Sequence, residues 1–339
     1  MTPQRILVWG SGFFGRKWLE TLTASSDCAV AGVISRTPER LEGLRRDLGL
    51  PEAPGYRSLD EAVARGPADA VIVTLPEMFH RDAILRALEA GLHVLTEKPL
   101  AMTIGEAHAI LEAARKHPER VVMVTQNFRW RPHTRALRLA LQGGRVGRPG
   151  HFVLDCRQQI RRTTVDGWRE HMTDPFLLDF AIHHMDLIRY LTGDEAQEVV
   201  AVSFRPSWSW FAGDSAAAAI VTMESGLVVD YGGTMVSQGL ETPPEGLITI
   251  TGEAGTLHLD QQSRVLVLGP GEPRVLPPEP VPEGELGHGL GQFVNAIRTG
   301  RLPETHLGDN VRSLALLVAV RESARTRRPV RPADLLTSR

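Results

Sequence analysis

Cysteine is nearly missing from this chain, with two in 339 residues, Cys28 and Cys156. Two thiols cannot build a disulfide framework or a cysteine-based zinc site. An excess of charge of either sign is missing as well: 38 basic against 40 acidic residues leave a net of −2. No basic stripe therefore marks the chain for nucleic acid, and protonating its 12 histidines would not localise one. Long apolar runs are also lacking. The longest, such as Ala216–Val221 and Leu314–Val320, fall far short of the roughly 18 residues of a membrane span. The opening MTPQRILVWGSG enters a strand at once, without the apolar stretch and small-residue cleavage site of a secretory signal. The expectation is a cytoplasmic protein that binds neither nucleic acid nor membrane.

What is present is enough apolar residue, 42%, to fill the cores of about two domains at roughly 150 residues each. Up to about residue 125, short Val/Ile/Leu-rich runs alternate with helical patterns. Arg5–Trp9, Val30–Ile34, Ala70–Leu75, His93–Thr96 and Val121–Thr125 read as buried strands. Helices are expected over Arg16–Ala24, Glu39–Leu48, Ser58–Ala64, Arg81–Ala90 and Ile104–His117. Such alternation implies right-handed crossovers and a parallel sheet covered on both faces. After residue 150 strands dominate: His151–Arg157, Glu198–Phe204, Ala216–Met223, Leu227–Tyr231, Leu247–Thr251, Thr256–Leu259 and Val265–Leu268. Several alternate apolar and polar residues, as an antiparallel sheet with one wet face requires. Gly252–Gly255 reads as a hairpin turn, and Pro175–Leu191, Leu290–Arg298 and Asn310–Thr326 as helices. The Pro/Gly/Glu-rich Gly269–Gly284 reads as a surface loop.

Gly10-Ser11-Gly12-Phe13-Phe14-Gly15 follows the first strand and opens a helix. Gly10 permits the tight turn, Gly12 lets a pyrophosphate approach backbone, and Gly15 allows close helix–strand packing. The helix N-terminus then offers N–H groups to phosphate. The second strand ends Ser35-Arg36-Thr37, with Arg40 a turn later, where an acidic residue usually holds the ribose hydroxyls. Ser35 does not repel a 2′-phosphate and Arg36 can pair with one, so NADP is favoured over NAD. The alternative leaves Arg36 stacked on adenine alone and Arg40 as a solvated charge.

Glu97-Lys98-Pro99 ends another strand at the sheet edge where such folds bind ligands. The proline biases Lys98 toward extended backbone, so its ammonium can donate into a cleft; the alternative is a solvated surface lysine. Downstream, Asp174-Pro175 reads as N-cap and first helical residue, and Gly193 stops the helix. Asp179 and His183, four apart, share one helical face. A carboxylate beside an imidazole suits a general base, although a satisfied core histidine has the same spacing. His183, His184 and Asp186 do not converge on one face, so no metal is expected.

GSGFFG, TLPEMFH, AGLHVLTEKPLAMT, QNFRWRP and LLDFAIHHMDLIRYLTG, in this order over nearly the whole chain, resemble the glucose–fructose oxidoreductase/inositol dehydrogenase/MocA (Gfo/Idh/MocA) family. The resemblance implies an α/β protein with an N-terminal Rossmann domain, residues 1–125, and a C-terminal α/β domain, residues 126–339, on a large, mostly antiparallel open sheet. The final helix would be able to pack back on the first domain. It implies hydride exchange between a nicotinamide and a secondary alcohol or ketone of a sugar, sugar derivative or cyclitol. Homodimers or homotetramers would form through the exposed sheet face. Lys98, Asp179 and His183 become the catalytic set, an ammonium and an imidazole beside one nicotinamide carbon. The cofactor set becomes Gly10, Gly12, Phe13, Phe14, Gly15, Ser35, Arg36, Thr37, Arg40, Leu75, Pro76, His80, Glu97, Lys98 and Asn127. Substrate contacts fall to Lys98, Arg129, Trp168, Arg169, Asp179 and His183, with Arg129 nearer structure than chemistry. Two departures stand out: Glu77 replaces the asparagine of the family's P-N-x-x-H, and Glu170–Pro175 replaces a glycine-rich stretch lining the substrate pocket. The rival functions are an NAD-dependent glycosidase using transient redox and a catalytically silent sugar or dinucleotide sensor.

Overall fold

Strands that are apolar on both faces must be covered on both faces, which favours a parallel sheet under helices. The computed structural model describes residues 2–50, 52–162 and 170–337. Its first part runs β1 (Gln4–Trp9), α1 (Phe13–Ala24), β2 (Cys28–Ile34), α2 (Pro38–Asp47), β3 (Gly55–Tyr56), α3 (Leu59–Arg65), β4 (Ala70–Val73), α4 (His80–Glu89), β5 (His93–Thr96), α5 (Ile104–Lys116) and β6 (Val122–Val124). Every strand pairing is parallel, in the order β3-β2-β1-β4-β5-β6. The order reverses between β1 and β4, so the crevice for a ligand lies beyond their carboxyl ends. β3 is absent from the sequence reading because two residues carry no periodic signal.

The remainder runs α6 (Pro132–Gln142), β7 (Pro149–Arg157), α7 (Ile182–Thr192), β8 (Ala196–Phe204), β9 (Ala216–Met223), β10 (Val228–Thr234), β11 (Leu247–Gly252), β12 (Gly255–Leu259), β13 (Val265–Leu268), β14 (Arg274–Leu276), α8 (Gly284–Thr299), α9 (Leu307–Thr326) and α10 (Pro332–Thr337). The second sheet is ordered β14-β13-β12-β11-β7-β10-β9-β8, and only β7 and β10 pair in parallel. The described chain forms two compact units, Met1–Asn127 with Pro282–Val311, and Phe128–Val281 with Arg312–Arg339. No described helix is long and apolar enough to cross a membrane.

Three local expectations need correction. The segment read as a loop over Gly269–Gly284 contains β14, which the open edge of β13 recruits antiparallel, because edge pairing overrides weak strand propensity. Asp174 does not cap its helix through its side chain. Its Oδ2 instead accepts from Arg321 at 2.8 and 3.1 Å, and a charged donor outcompetes a backbone N–H. Finally, Phe176–Ala181 winds as a π-helix before α7 begins. Bonds closing to i+5 shift the register, so Asp179 and His183 are not related by the plain α-helical repeat.

Candidate active site

The glycine-rich turn joins β1 to α1 at the switch point. Gly10 has φ 129°, and a Cβ there would lie 2.4 Å from Thr74 Oγ1; at Gly15 it would lie 2.1 Å from the Gly10 carbonyl oxygen. Those two positions admit only glycine. Gly12 differs: a Cβ there meets nothing within 4 Å, and Gly12 begins α1 without a side-chain cap. An open backbone at an uncapped helix N-terminus fits a pyrophosphate. Phe13 and Phe14 beside it are exposed and pack edge to face.

The other expected cofactor residues of the first unit lie at or just beyond the carboxyl ends of the strands. Ser35, buried at the end of β2, has its Oγ 2.8 Å from Ser11 Oγ and accepts from the Thr37 N–H. This hydroxyl pair ties the β2 end to the glycine turn. Arg36, Thr37 and Arg40 are exposed, and the Arg36 guanidinium lies 5.9 Å from the centre of the Phe79 ring. Leu75 and Pro76 follow β4. His80 is buried, with Nδ1 2.7 Å from the Pro99 carbonyl and Nε2 2.9 Å from the Leu75 carbonyl. It therefore clamps the Lys98–Pro99 backbone to the end of β4. Glu97 is buried and accepts from Trp18 Nε1 at 2.7 Å, its carboxyl pushed up by burial. Lys98, half-buried, stands between the buried Glu97 and Pro99. Asn127 donates its amide to Glu285 at 2.7 Å.

In the second unit, the 3₁₀ turn Asn127–Trp130 reaches α7 through two consecutive side chains. Phe128 stacks on His183, with centroids 4.1 Å apart and planes at 12°. Arg129 grips Asp186 through two 2.6 Å bonds, both side chains buried. Ser313 donates to the same Asp186, and Arg189 donates to Ser313. Asp179 is half-buried in the π-helical turn. His184 has Nδ1 3.0 Å from the Tyr231 hydroxyl and Nε2 2.9 Å from the Pro244 carbonyl, which makes it a satisfied core histidine. Trp168 and Arg169 lie outside the described residues. Among the described residues no group of three or more His, Cys, Asp or Glu side chains is placed to hold a metal. Phe128 was legible in QNFRWRP as an apolar residue next to Asn127. Arg131 and Glu245 were not, since 113 intervening positions hide their pairing.

The buried histidines give the fold an acid limit. Burial pushes the His184 imidazole down to about 4 and lowers those of His80 and His93 as well. His184 is neutral in the native state and folding disfavours the charged form of the other two, whereas the unfolded chain takes up protons near pH 6.5. Stability is therefore fully present above that pH and is lost as pH falls toward 4. His184 alone accounts for about 3 kcal/mol over this window, at roughly 1.4 kcal/mol per pKa unit. Urea unfolding at pH 7.5 and pH 5 should show the loss, and His184→Gln should reduce it; equal stability at both pH values would contradict the assignment.

Two family models match the chain over most of its length. Residues 4–126 match the oxidoreductase family, NAD-binding Rossmann fold, and residues 138–331 its C-terminal alpha/beta domain. The chain belongs to the Gfo/Idh/MocA oxidoreductase family, and it is an NAD(P)-dependent dehydrogenase or reductase acting on CH–OH groups. Among curated relatives, D-apiose dehydrogenase of Paraburkholderia graminis is 27% identical over 95% of this chain and 88% of its own length. The 1,5-anhydro-D-fructose reductase of Ensifer adhaerens is 28% identical over 94% and 95%. An oxidoreductase from Agrobacterium radiobacter, solved with NAD+, L-tartaric acid and magnesium, superposes with a TM-score of 0.91 at 23% identity, covering 99% and 100% of the two chains. At that identity it shows the shared fold.

Proposed function

We propose that the enzyme catalyses reversible NADP-linked oxidation of a secondary alcohol on a sugar, sugar derivative or cyclitol, with Lys98, Asp179 and His183 as its catalytic set. The observation that carries the reading is Lys98, half-exposed at the carboxyl end of β5 on a loop that His80 clamps. Relatives named for apiose, anhydrofructose and inositol supply the substrate class. When bound, the dinucleotide supplies the acceptor for the hydride leaving the carbinol carbon. His183 accepts the hydroxyl proton as the C–O bond becomes a carbonyl. The Lys98 ammonium donates to the oxygen while its negative charge develops, and Asp179 orients His183 or holds a neighbouring hydroxyl. Cyclitols, aldoses and keto-sugars assayed with both nicotinamide dinucleotides should include one that changes nicotinamide absorbance. Binding without any such change would leave a sensor; sugar released from glycosides without NADPH accumulating would leave a glycosidase.

The preference for NADP rests on Ser35, which carries no charge to repel a 2′-phosphate, and on the exposed Arg36 and Arg40. NADPH should bind more tightly than NADH. Arg36→Ala should raise the NADPH Kd about tenfold to a hundredfold, since a charged hydrogen bond contributes roughly 1.5–3 kcal/mol, with NADH affinity unchanged. Tighter NADH binding by the unaltered enzyme would reverse the assignment. Two buried, unpaired cysteines are in keeping with a reducing, cytoplasmic setting. The reading includes a homodimer or homotetramer through the open sheet face, where Val200 and Ile220 pair across β8 and β9 with Val202 and Phe204 beside them, all exposed. A single-chain mass by light scattering would exclude it.

A further inference from the structure

We infer that Phe128 is a positioning residue for the His183 imidazole, held from behind by an Arg131–Glu245 ion pair. The inference rests on the reading of His183 as the base. A phenyl ring has two faces. His183 lies on one, nearly parallel, at 4.1 Å. The Arg131 guanidinium carbon also lies 4.1 Å from the Phe128 centroid, and it has to occupy the other face, because the first is filled at the same distance. The result is a three-layer stack of guanidinium, phenyl and imidazole.

A stacked pair of rings is worth about 0.5–1.5 kcal/mol beyond its area burial, and two constraints fix where the Phe128 ring sits. One constraint is Glu245, whose side chain is almost fully buried and pairs with both Arg131 and His133. Burial alone would raise its carboxyl, yet the hydrogen bond from His133 and the charge of Arg131 bring it down to about 2. Glu245 is thus ionised throughout the working pH range, and Arg131 is anchored permanently. A cation on a phenyl face gains about 0.5–2 kcal/mol from the ring quadrupole, which holds the guanidinium against the ring. The second constraint is the adjacent Arg129, locked onto Asp186 three residues beyond His183. The 3₁₀ turn consequently grips α7 at two points one helical turn apart.

An imidazole stacked on a fixed ring must break that contact to turn about its Cβ–Cγ bond. Its nitrogens then point along directions set by the stack. Near-attack geometry is sensitive to such angles, and a misplacement of about 1 Å can cost on the order of a hundredfold in rate. Phe128 touches neither reacting atom in this account; it acts through His183.

The test is a double-mutant cycle, using the substrate found in the screen. Phe128→Leu should lower kcat by roughly tenfold to a hundredfold, leaving KM and dinucleotide Kd nearly unchanged. Phe128→Tyr, which keeps the ring, should restore most of kcat. In a His183→Asn background Phe128→Leu should cost nothing further, because there is no base left to position. An equal loss in both backgrounds, or full kcat in Phe128→Leu, overturns the inference. Wild-type turnover by His183→Asn alone would instead overturn the base assignment, so the two failures are distinguishable. Should Phe128→Leu not fold, proton NMR of the unaltered enzyme decides: the His183 ring protons, identified by their loss in His183→Asn, should be shifted upfield by the Phe128 ring current. Unshifted resonances reject the stack.

Discussion

Replacing Lys98 with alanine should abolish most turnover, by a factor of about 10²–10³, which is what losing one preorganised donor at a developing oxyanion costs. Dinucleotide affinity should stay nearly intact, because the proposed reading assigns the phosphates to the backbone at Gly12 and the start of α1 rather than to this side chain. The fold should also survive. β5 is buried through His93–Thr96, and His80 fixes the following loop through the Pro99 carbonyl, a contact the substitution does not touch. Stopped-flow or steady-state absorbance at the nicotinamide band measures turnover, and fluorescence titration measures binding. Unchanged turnover would discard the role; a large loss of dinucleotide affinity with turnover retained at saturation would make Lys98 a cofactor ligand instead.

Asp186→Ala should be strongly destabilising. Arg129 and Asp186 are both nearly inaccessible, at 5% and 1% side-chain exposure, and Ser313 donates to the same carboxylate. Removing the carboxylate strands a buried guanidinium, and breaking a buried pair in this way costs about 3–5 kcal/mol. The diagnostic control is the double replacement Arg129→Met with Asp186→Leu. It removes both charges, keeps the volume, and should be less damaging than Asp186→Ala alone, since well-packed apolar replacements of buried pairs are often neutral. Urea denaturation followed by circular dichroism compares the three. A loss below about 1 kcal/mol for Asp186→Ala would mean that the guanidinium finds water or another partner, against the buried geometry.

Much of the architecture is legible in the residues. The five longer parallel strands fall where the Val/Ile/Leu runs place them, and His93–Thr96, Ala216–Met223 and Val265–Leu268 match residue for residue. The hairpin at Gly252–Gly255 forms as its glycines require. Burial on both faces or on one leaves a period that can be read along the chain. Helix α6 has its signals too, Pro132 at the first position and Leu137, Ala136 and Ala140 on the buried face. The edge strands β3 and β14 are different, because two or three residues gain their structure from a neighbour's open backbone edge rather than from any pattern of their own.

The chain by itself determined the strand–turn–helix with its three glycines, the lysine at a strand end and the acid–histidine helix, since each depends on residues within a few positions of one another. Tertiary structure alone decided what those side chains meet: that Asp174 answers to Arg321, that Asp186 holds Arg129, that His184 is tied up by Tyr231 and Pro244, and that His183 lies flat on Phe128. These partners stand far apart in sequence, and local spacing contains no term for which distant group will fill a given buried polar need.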